Sequence, residues 1–97
     1  MQIDLDFFKN VNDTLGHAAG DHVLQAAARI MVKETRVEDT VARVGGDEFT
    51  LILPDLLDAR DLRAVGERLI NQLERPILFY GRQCRISASI GTVWIRP

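Results

Sequence analysis

The chain has 97 residues, 46% hydrophobic and 27% charged, with 12 basic and 14 acidic side chains and a formal net charge of −2. This composition is typical of one globular domain, and without a basic excess we expect no nucleic-acid binding. The single cysteine, Cys84, excludes an internal disulfide and is interpreted as a small hydrophobic residue in a reducing compartment. No apolar run reaches the roughly 18 residues of a membrane helix. We therefore expect no direct membrane contact by this segment and a cytoplasmic location, whatever domains the parent protein carries elsewhere.

The first part of the chain predicts a strand followed by two helices. Residues 1–6 are predicted to form a short strand ending in acids, and residues 7–15 a short helix that Gly16 ends. A second helix is predicted to start at Asp21, because a carboxylate at a helix start pairs with free N–H groups and the positive end of the dipole. Apolar residues at helical spacing follow it, which indicates one buried face.

The remainder predicts a hairpin, a helix and two further strands. Residues 40–44 and 48–53 are predicted to pair as a hairpin, and residues 58–74 to form a helix with a buried leucine-rich stripe. Residues 76–80 and 85–95 are predicted as two more strands. The order β-α-α-β-β-α-β-β predicts an α/β (α+β) fold, in which helices pack on one face of a mostly antiparallel sheet around a split βαβ core.

The turn of the predicted hairpin carries the most informative pattern, because residues 45–49 read GGDEF. Gly45 and Gly46 are interpreted as giving the backbone either a positive φ or room for a bulky purine, although a plain hairpin turn is the simpler interpretation. Asp47 and Glu48 then place two carboxylates beside the turn, which suits a hard divalent cation.

Three further segments extend this pattern into a family resemblance. Residues 4–13 (DLDFFKNVND) are similar to the D-x-D-x-F-K-x-x-N-D signature of GGDEF domains, the diguanylate cyclase family. Residues 16–21 (GHAAGD) resemble the family's G-H-x-x-G-D, and residues 87–91 (SASIG) resemble its later S-x-G strand. The resemblance implies a palm-like fold similar to nucleotidyl cyclases and polymerases. Because the family's domain is longer at both ends, residues 1–97 are interpreted as one GGDEF domain, incomplete at both ends.

The resemblance implies an enzyme that condenses two GTP molecules into cyclic di-GMP, a bacterial second messenger, and releases two pyrophosphates. Each subunit would hold one GTP together with Mg²⁺ or Mn²⁺, so catalysis would need a homodimer. A different class of function is a catalytically silent receptor domain that binds GTP or cyclic di-GMP, and a third is a structural domain for dimerisation. The intact turn favours the enzyme.

The metal and catalytic candidates lie at the end of the first strand and at the turn. Asp4 and Asp47 are predicted to be neighbours, and two carboxylates suffice for Mg²⁺ when substrate phosphates complete its shell. The resemblance implies that these two acids, the backbone carbonyl of Leu5 and the supporting carboxylate of Glu48 form the metal site. It also implies that Asp47 accepts a proton and that Lys9 stabilises the transition state. The alternative is solvated acids and a surface lysine.

The candidates for guanine recognition follow in the first helix and after it. Asn12 and Asp21 suit guanine, since a carboxylate accepts from its N–H groups and an amide pairs with its acceptors. The resemblance implies this role, with His17 nearby. A turn-forming Asn12, a helix-capping Asp21 and an ordinary loop His17 are the alternatives. Asp6 is a secondary metal candidate, and an N-cap role for residues 7–15 is an equally acceptable interpretation.

Residues 36–39 (RVED) end five residues before the turn, where the family has the R-x-x-D of its inhibitory product site. The resemblance implies allosteric inhibition by cyclic di-GMP through Arg36 and Asp39, with Arg68 on the following helix as a further candidate. A guanidinium can bind the Hoogsteen edge of guanine in a bidentate way. The alternative is a helix-ending arginine followed by a solvated acid.

Overall fold

The computed structural model describes residues 1–54, 56 and 58–93. In this part of the chain none of the helices is long and apolar enough to cross a membrane. The elements in chain order are β1 (Gln2–Asp6), α1 (Phe8–Leu15), α2 (His17–Lys33), β2 (Thr40–Arg43), β3 (Glu48–Ile52), α3 (Ala59–Leu73), β4 (Ile77–Phe79), β5 (Arg82–Cys84) and β6 (Ser87–Gly91).

The main sheet has four antiparallel strands in the order β2-β3-β1-β6, and β4 and β5 form a separate hairpin. β1 lies inside the sheet and alternates strictly: Ile3 and Leu5 are buried, whereas Asp4 is exposed. The buried side chains of the sheet join those of α1, α2 and α3 in one core. The helices therefore cover one face of the sheet, and the face that carries Asp4 stays open among the described residues.

The hairpin and the last helix agree with the sequence prediction. β2 and β3 pair from Thr40 opposite Ile52 to Arg43 opposite Phe49. α3 follows Asp58, whose carboxylate accepts hydrogen bonds from the backbone N–H groups of Arg60 and Asp61, as the side chain of an N-cap residue does. Its predicted stripe is buried and consists of Leu62, Val65, Leu69 and Leu73.

Two predicted helix caps are wrong. α2 begins at His17 rather than at Asp21, because Gly16 (φ 91°, ψ 169°) ends α1 and immediately starts the next helix. Asp21 therefore lies inside α2 and is exposed. Asp6 does not cap α1 either: Phe7 occupies that position with φ 66° and no side-chain hydrogen bond, while the Asp6 carboxylate accepts one from the Ser89 hydroxyl at 2.7 Å.

The predicted strand over residues 85–95 is confirmed in part: β6 (Ser87–Gly91) lies within it, but this strand is shorter and does not pair with β4. The chain turns tightly at Tyr80 (φ 47°) and Gly81 (φ 79°), so that only β5 (Arg82–Cys84) pairs with β4. After the buried Ile86 the chain enters the main sheet as β6 beside β1. Residues 82–91 thus contribute one strand to each of the two sheets. Residues 94 and 95, the last two of the predicted strand, lie outside the described residues.

Replacement of Gly16 by alanine is expected to destabilise the protein through its backbone alone. An added Cβ at Gly16 meets no atom within 4 Å, but φ 91° with ψ 169° is a region that essentially only glycine adopts. We expect Gly16→Ala to lower the free energy of unfolding by about 1–3 kcal/mol, measured by urea denaturation. Gly91→Ala is the control, since its Cβ also meets open space and its φ is not positive. Equal stability of the two variants would contradict this account.

Candidate functional site

A row of polar side chains crosses the open face of the main sheet. Asp4 of β1 lies directly opposite Glu48 of β3 on one side and opposite Ser89 of β6 on the other. All three residues are exposed. Residues directly opposite in an antiparallel pair have Cβ atoms about 4.5–5.5 Å apart, so two carboxylates meet here without any intervening strand.

The turn at residues 45–49 is fastened to the end of β1. The backbone N–H of Leu5 donates to the carbonyl of Asp47 at 3.0 Å, one step beyond the pairing of Asp4 with Glu48. The predicted placement of the first strand's end beside the hairpin turn is therefore confirmed. The metal-binding and proton-accepting roles of these acids stay predictions.

The turn itself is held by an arginine that sequence analysis did not single out. Arg43 Nε donates to the carbonyls of Gly45 at 3.0 Å and Gly46 at 3.1 Å, and the N–H of Val44 donates to the carbonyl of Glu48 at 3.0 Å. Neither glycine has a positive φ, so that part of the prediction is wrong. Because a guanidinium on the hairpin closes the turn, no left-handed residue is needed.

A hydrogen-bonded network supports the row of acids and was also missed. The Thr50 hydroxyl donates to Gln2 Oε1 at 2.8 Å, and Gln2 Nε2 lies 3.5 Å from Glu48 Oε2. The Ser89 hydroxyl donates to Asp6 on the same face. Strand periodicity was the available signal, because alternate residues of β1 share the face of Asp4.

The acidic side chains of this face form no ion pair with any residue that the structure describes. In the described part of the chain three ion pairs occur, and none involves Asp4, Asp47 or Glu48. No group of three or more His, Cys, Asp or Glu side chains capable of holding a metal occurs there either. Two adjacent carboxylates thus stand on this face without a cationic partner among residues 1–54, 56 and 58–93. This small donor set fits Mg²⁺, which takes few protein ligands and completes its shell with water and phosphates.

The predicted guanine-binding residues meet where α1 joins α2. Asn12 is partly buried on α1 and its carboxamide packs against Gly20 of α2, the residue before the exposed Asp21. His17 is exposed as the first residue of α2. Lys9 is exposed in the first turn of α1, three residues after the end of β1. The packing of Asn12 against Gly20 thus brings Asn12 close to the backbone next to Asp21 on the adjacent helix.

Arg36 and Asp39, the residues predicted to bind the inhibitory product, lie after the end of α2. They form a turn of their own, separate from the turn at residues 45–49. The Arg36 N–H donates to the Asp39 carboxylate at 2.7 Å and the Asp39 N–H donates back to the Arg36 carbonyl at 3.0 Å, which closes a compact turn. Arg68 of α3 pairs with Glu34 at 3.5 Å, two residues before Arg36. The guanidinium of Arg36 stays exposed, 3.8 Å from the Glu38 carboxylate. Arg36, in the turn after α2, and Arg68, on α3, therefore both lie near the end of α2.

Comparison with known proteins agrees with this architecture. A sequence model of the family described as "Diguanylate cyclase, GGDEF domain" matches residues 1–97. The chain is similar to diguanylate cyclase A of Treponema denticola, with 46% identity over 92 residues that cover 94% of the chain and 24% of that protein. The chain thus spans about a quarter of the length of this curated relative.

Two solved structures resemble the fold. One comprises the GGDEF domain of the Pseudomonas aeruginosa protein TpbB or YfiN, with a TM-score of 0.85, 41% identity and coverage of 90% of this chain and 51% of that one. The other is the GGDEF domain of DgcB from Caulobacter crescentus in complex with cyclic di-GMP, with a TM-score of 0.82, 28% identity and coverage of 91% and 53%. This similarity confirms the palm-like fold.

Removal of one facing carboxylate is expected to stabilise the protein when no divalent cation is present. Glu48→Gln removes the repulsion with Asp4 while keeping the side-chain length, so we expect a gain of about 0.2–1 kcal/mol in chelator, measured by urea denaturation. Added Mg²⁺ should then stabilise the wild type more than the variant, because a ligand stabilises the state that binds it.

The control is Glu67→Gln, which neutralises an exposed acid on α3. It is expected to leave both the stability in chelator and the response to Mg²⁺ unchanged. An identical Mg²⁺ response of wild type and Glu48→Gln would show that the Glu48 carboxylate takes no part in cation binding.

Proposed function

Because the chain belongs to the GGDEF domain family of diguanylate cyclases, we propose that it forms the central part of a domain that condenses two GTP into cyclic di-GMP and releases two pyrophosphates. The observation that carries this proposal is the pairing of Asp4 with Glu48, with the Asp47 turn fastened beside it. This arrangement suits phosphoryl transfer, in which catalysis depends on positioning and on compensating phosphate charge.

The proposed reaction joins the two nucleotides in two equivalent steps. The 3′-hydroxyl oxygen of one GTP forms a bond to the α-phosphorus of the other, the bond from that phosphorus to the β-phosphate bridging oxygen breaks, and pyrophosphate leaves. The hydroxyl proton passes to Asp47, the proposed base. Repetition with the roles exchanged closes the ring. Lys9 contributes positive charge to the phosphates from the first turn of α1.

Asp4, Asp47, Glu48 and the Leu5 carbonyl are the proposed ligands of Mg²⁺ or Mn²⁺. A bound cation would neutralise phosphate charge and favour ionisation of the attacking hydroxyl. The lack of an ion-pair partner for these carboxylates in the described part of the chain supports this assignment. Gln2 and Thr50, which lie opposite each other on the same face of β1 and β3, orient Glu48, as supporting groups commonly do for metal ligands.

We assign guanine recognition to Asn12 and Asp21, with His17 at the same helix junction. An amide offers both a donor and an acceptor to the base, and an ionised carboxylate accepts from guanine's N1–H and amino group. Adenine lacks that pair of donors, so the proposed substrate is GTP rather than ATP. Gly45 and Gly46 leave the turn free of side chains where a nucleotide would approach. A Cβ at Gly46 would meet nothing within 4 Å, so the space beside it is open to a ligand.

The proposed catalytic unit is a cytoplasmic homodimer. Each chain supplies one nucleotide site, so the hydroxyl of one bound GTP reaches the α-phosphate of the other only when two sites face each other. The chain covers 51% and 53% of the two solved GGDEF-domain chains that it resembles. Activity assays therefore use the domain at its natural length.

A second proposed function is binding of cyclic di-GMP at the turn of residues 36–39, as product inhibition or as a receptor site. Two observations favour binding there: Arg36 and Asp39 close a hydrogen-bonded turn, and Arg68 pairs with Glu34, two residues before Arg36. The ion pair between Arg36 and Glu38 is exposed and therefore weak, so a ligand's phosphates and guanine edges can replace it at little cost. DgcB, the similar domain solved with cyclic di-GMP, lends support.

Neutralisation of Asp47 is expected to abolish synthesis. We expect Asp47→Asn to lower product formation from GTP and Mg²⁺ by about 100-fold or more, because the proposed base and metal ligand are lost together. Product mass is the measurement, and Asp61→Asn on the exposed first turn of α3 is the control. Retained synthesis by Asp47→Asn would disprove the mechanism. Absence of product from a dimeric wild type would favour the receptor function.

Loss of either arginine is expected to weaken cyclic di-GMP binding. Arg36→Ala and Arg68→Ala should each reduce affinity by about tenfold or more in calorimetric titration, since each removes a charged hydrogen-bond donor. Arg63→Ala, an exposed arginine on the same helix as Arg68, is the matched control. Unchanged affinity in both test variants would place the product site elsewhere.

A further inference from the structure

Gly20 lies buried inside α2, where glycine is a poor choice for the helix. A glycine in a helix interior costs about 1 kcal/mol relative to alanine, because it has more backbone freedom to lose. Its N–H donates to the Gly16 carbonyl at 3.2 Å, so the backbone there is helical and alanine would fit it. The reason for a glycine must therefore lie in the space where its side chain would be.

That space is filled by the carboxamide of Asn12. A Cβ added to Gly20 would overlap Asn12 Oδ1 and lie 2.9 Å from Asn12 Cγ, and it would lie 3.4 Å from Phe8 Cζ. Both neighbours belong to α1, so the bare backbone of α2 forms a wall against which the Asn12 amide rests.

We propose that Gly20 is a positioning residue for guanine recognition, holding the Asn12 carboxamide in the place from which it reads the base. This inference rests on the proposed function, in which Asn12 contacts guanine. The next residue on α2 is Asp21, the other base-reading candidate. The backbone of α2 at Gly20 therefore supports the Asn12 amide, and the next residue of the same helix, Asp21, presents its carboxylate.

The fold is expected to tolerate a side chain at Gly20 better than recognition does. The overlapping atom is the far end of an asparagine side chain rather than backbone, and that side chain can rotate away at little cost. The Phe8 ring needs to yield by only a few tenths of an ångström. A rotated amide, however, no longer offers its donor and acceptor where guanine lies, and alanine restores helix propensity to α2.

Gly66 provides a matched control within the same molecule. It is also a buried glycine inside a helix, in α3, but a Cβ there lies 3.9 Å from Ile90 Cδ1 and from Met1 Cε, which is ordinary contact distance. Gly66→Ala therefore changes helix propensity in the same direction without touching Asn12. Any effect specific to Gly20→Ala then belongs to its own neighbours.

The experiment measures nucleotide selectivity and stability of the natural-length domain carrying Gly20→Ala, Asn12→Ala, both changes, or Gly66→Ala. We expect Gly20→Ala to weaken GTP binding and raise KM by about tenfold or more, and to lower the preference for GTP over ATP, with a cooperative unfolding transition preserved. Asn12→Ala should lose as much, and the double variant no more than either single one. Gly66→Ala should keep the wild-type preference.

Each other outcome overturns a specific statement. If Asn12→Ala keeps the affinity and preference for GTP, the proposed role of Asn12 fails and this inference fails with it. If Asn12→Ala loses them and Gly20→Ala does not, only the inference fails. Additive losses in the double variant would also overturn it, since Gly20 would then act on another group.

A stability readout keeps the inference testable if Gly20→Ala unfolds. Because Asn12 is the group in conflict, removal of its carboxamide in the double variant should recover the urea midpoint. A double variant as unstable as Gly20→Ala alone would show that the glycine serves packing against Phe8 or the backbone, and would overturn the positioning role.

Discussion

The pairing of β1 on both of its edges determines where everything else in the molecule lies. β1 is hydrogen-bonded to β3 and to β6, and the pleat sends alternate side chains to opposite faces. Ile3 and Leu5 thereby enter the core under the helices, while Asp4 stands on the open face between Glu48 and Ser89. A slip of one residue in this register would bury the acids and expose the core, so the hydrophobic core and the candidate site specify each other.

Several local costs lie around the candidate site. Asp4 and Glu48 repel each other across neighbouring strands, Phe7 adopts φ 66° directly after β1, and Gly20 weakens α2 in its interior. Each feature opposes what local stability alone would select. Such conflicts are expected where a protein is shaped for a ligand, because the ligand's charge and volume complete the arrangement.

The candidate metal ligands and the candidate residues of the inhibitory site lie on different parts of the fold. Asp4, Asp47 and Glu48 are placed by sheet register and by the turn that Arg43 closes, whereas Arg36 and Asp39 form their own turn after α2. α2 begins beside Asn12, whose carboxamide rests against Gly20, and ends three residues before Arg36, near the pairing of Glu34 with Arg68.

The sequence by itself determined the elements whose signals are local: the hairpin around residues 45–49, the apolar stripe of α3, and the family to which the chain belongs. Only the tertiary structure decided the start of α2 at His17, the division of residues 82–91 between two sheets, and the roles of Gln2, Arg43 and Gly20. The physical reason is that a cap, a strand's partner or a missing side chain has meaning only beside its neighbour in space. Gly20 looks like a helix defect until the Asn12 carboxamide is found resting against it.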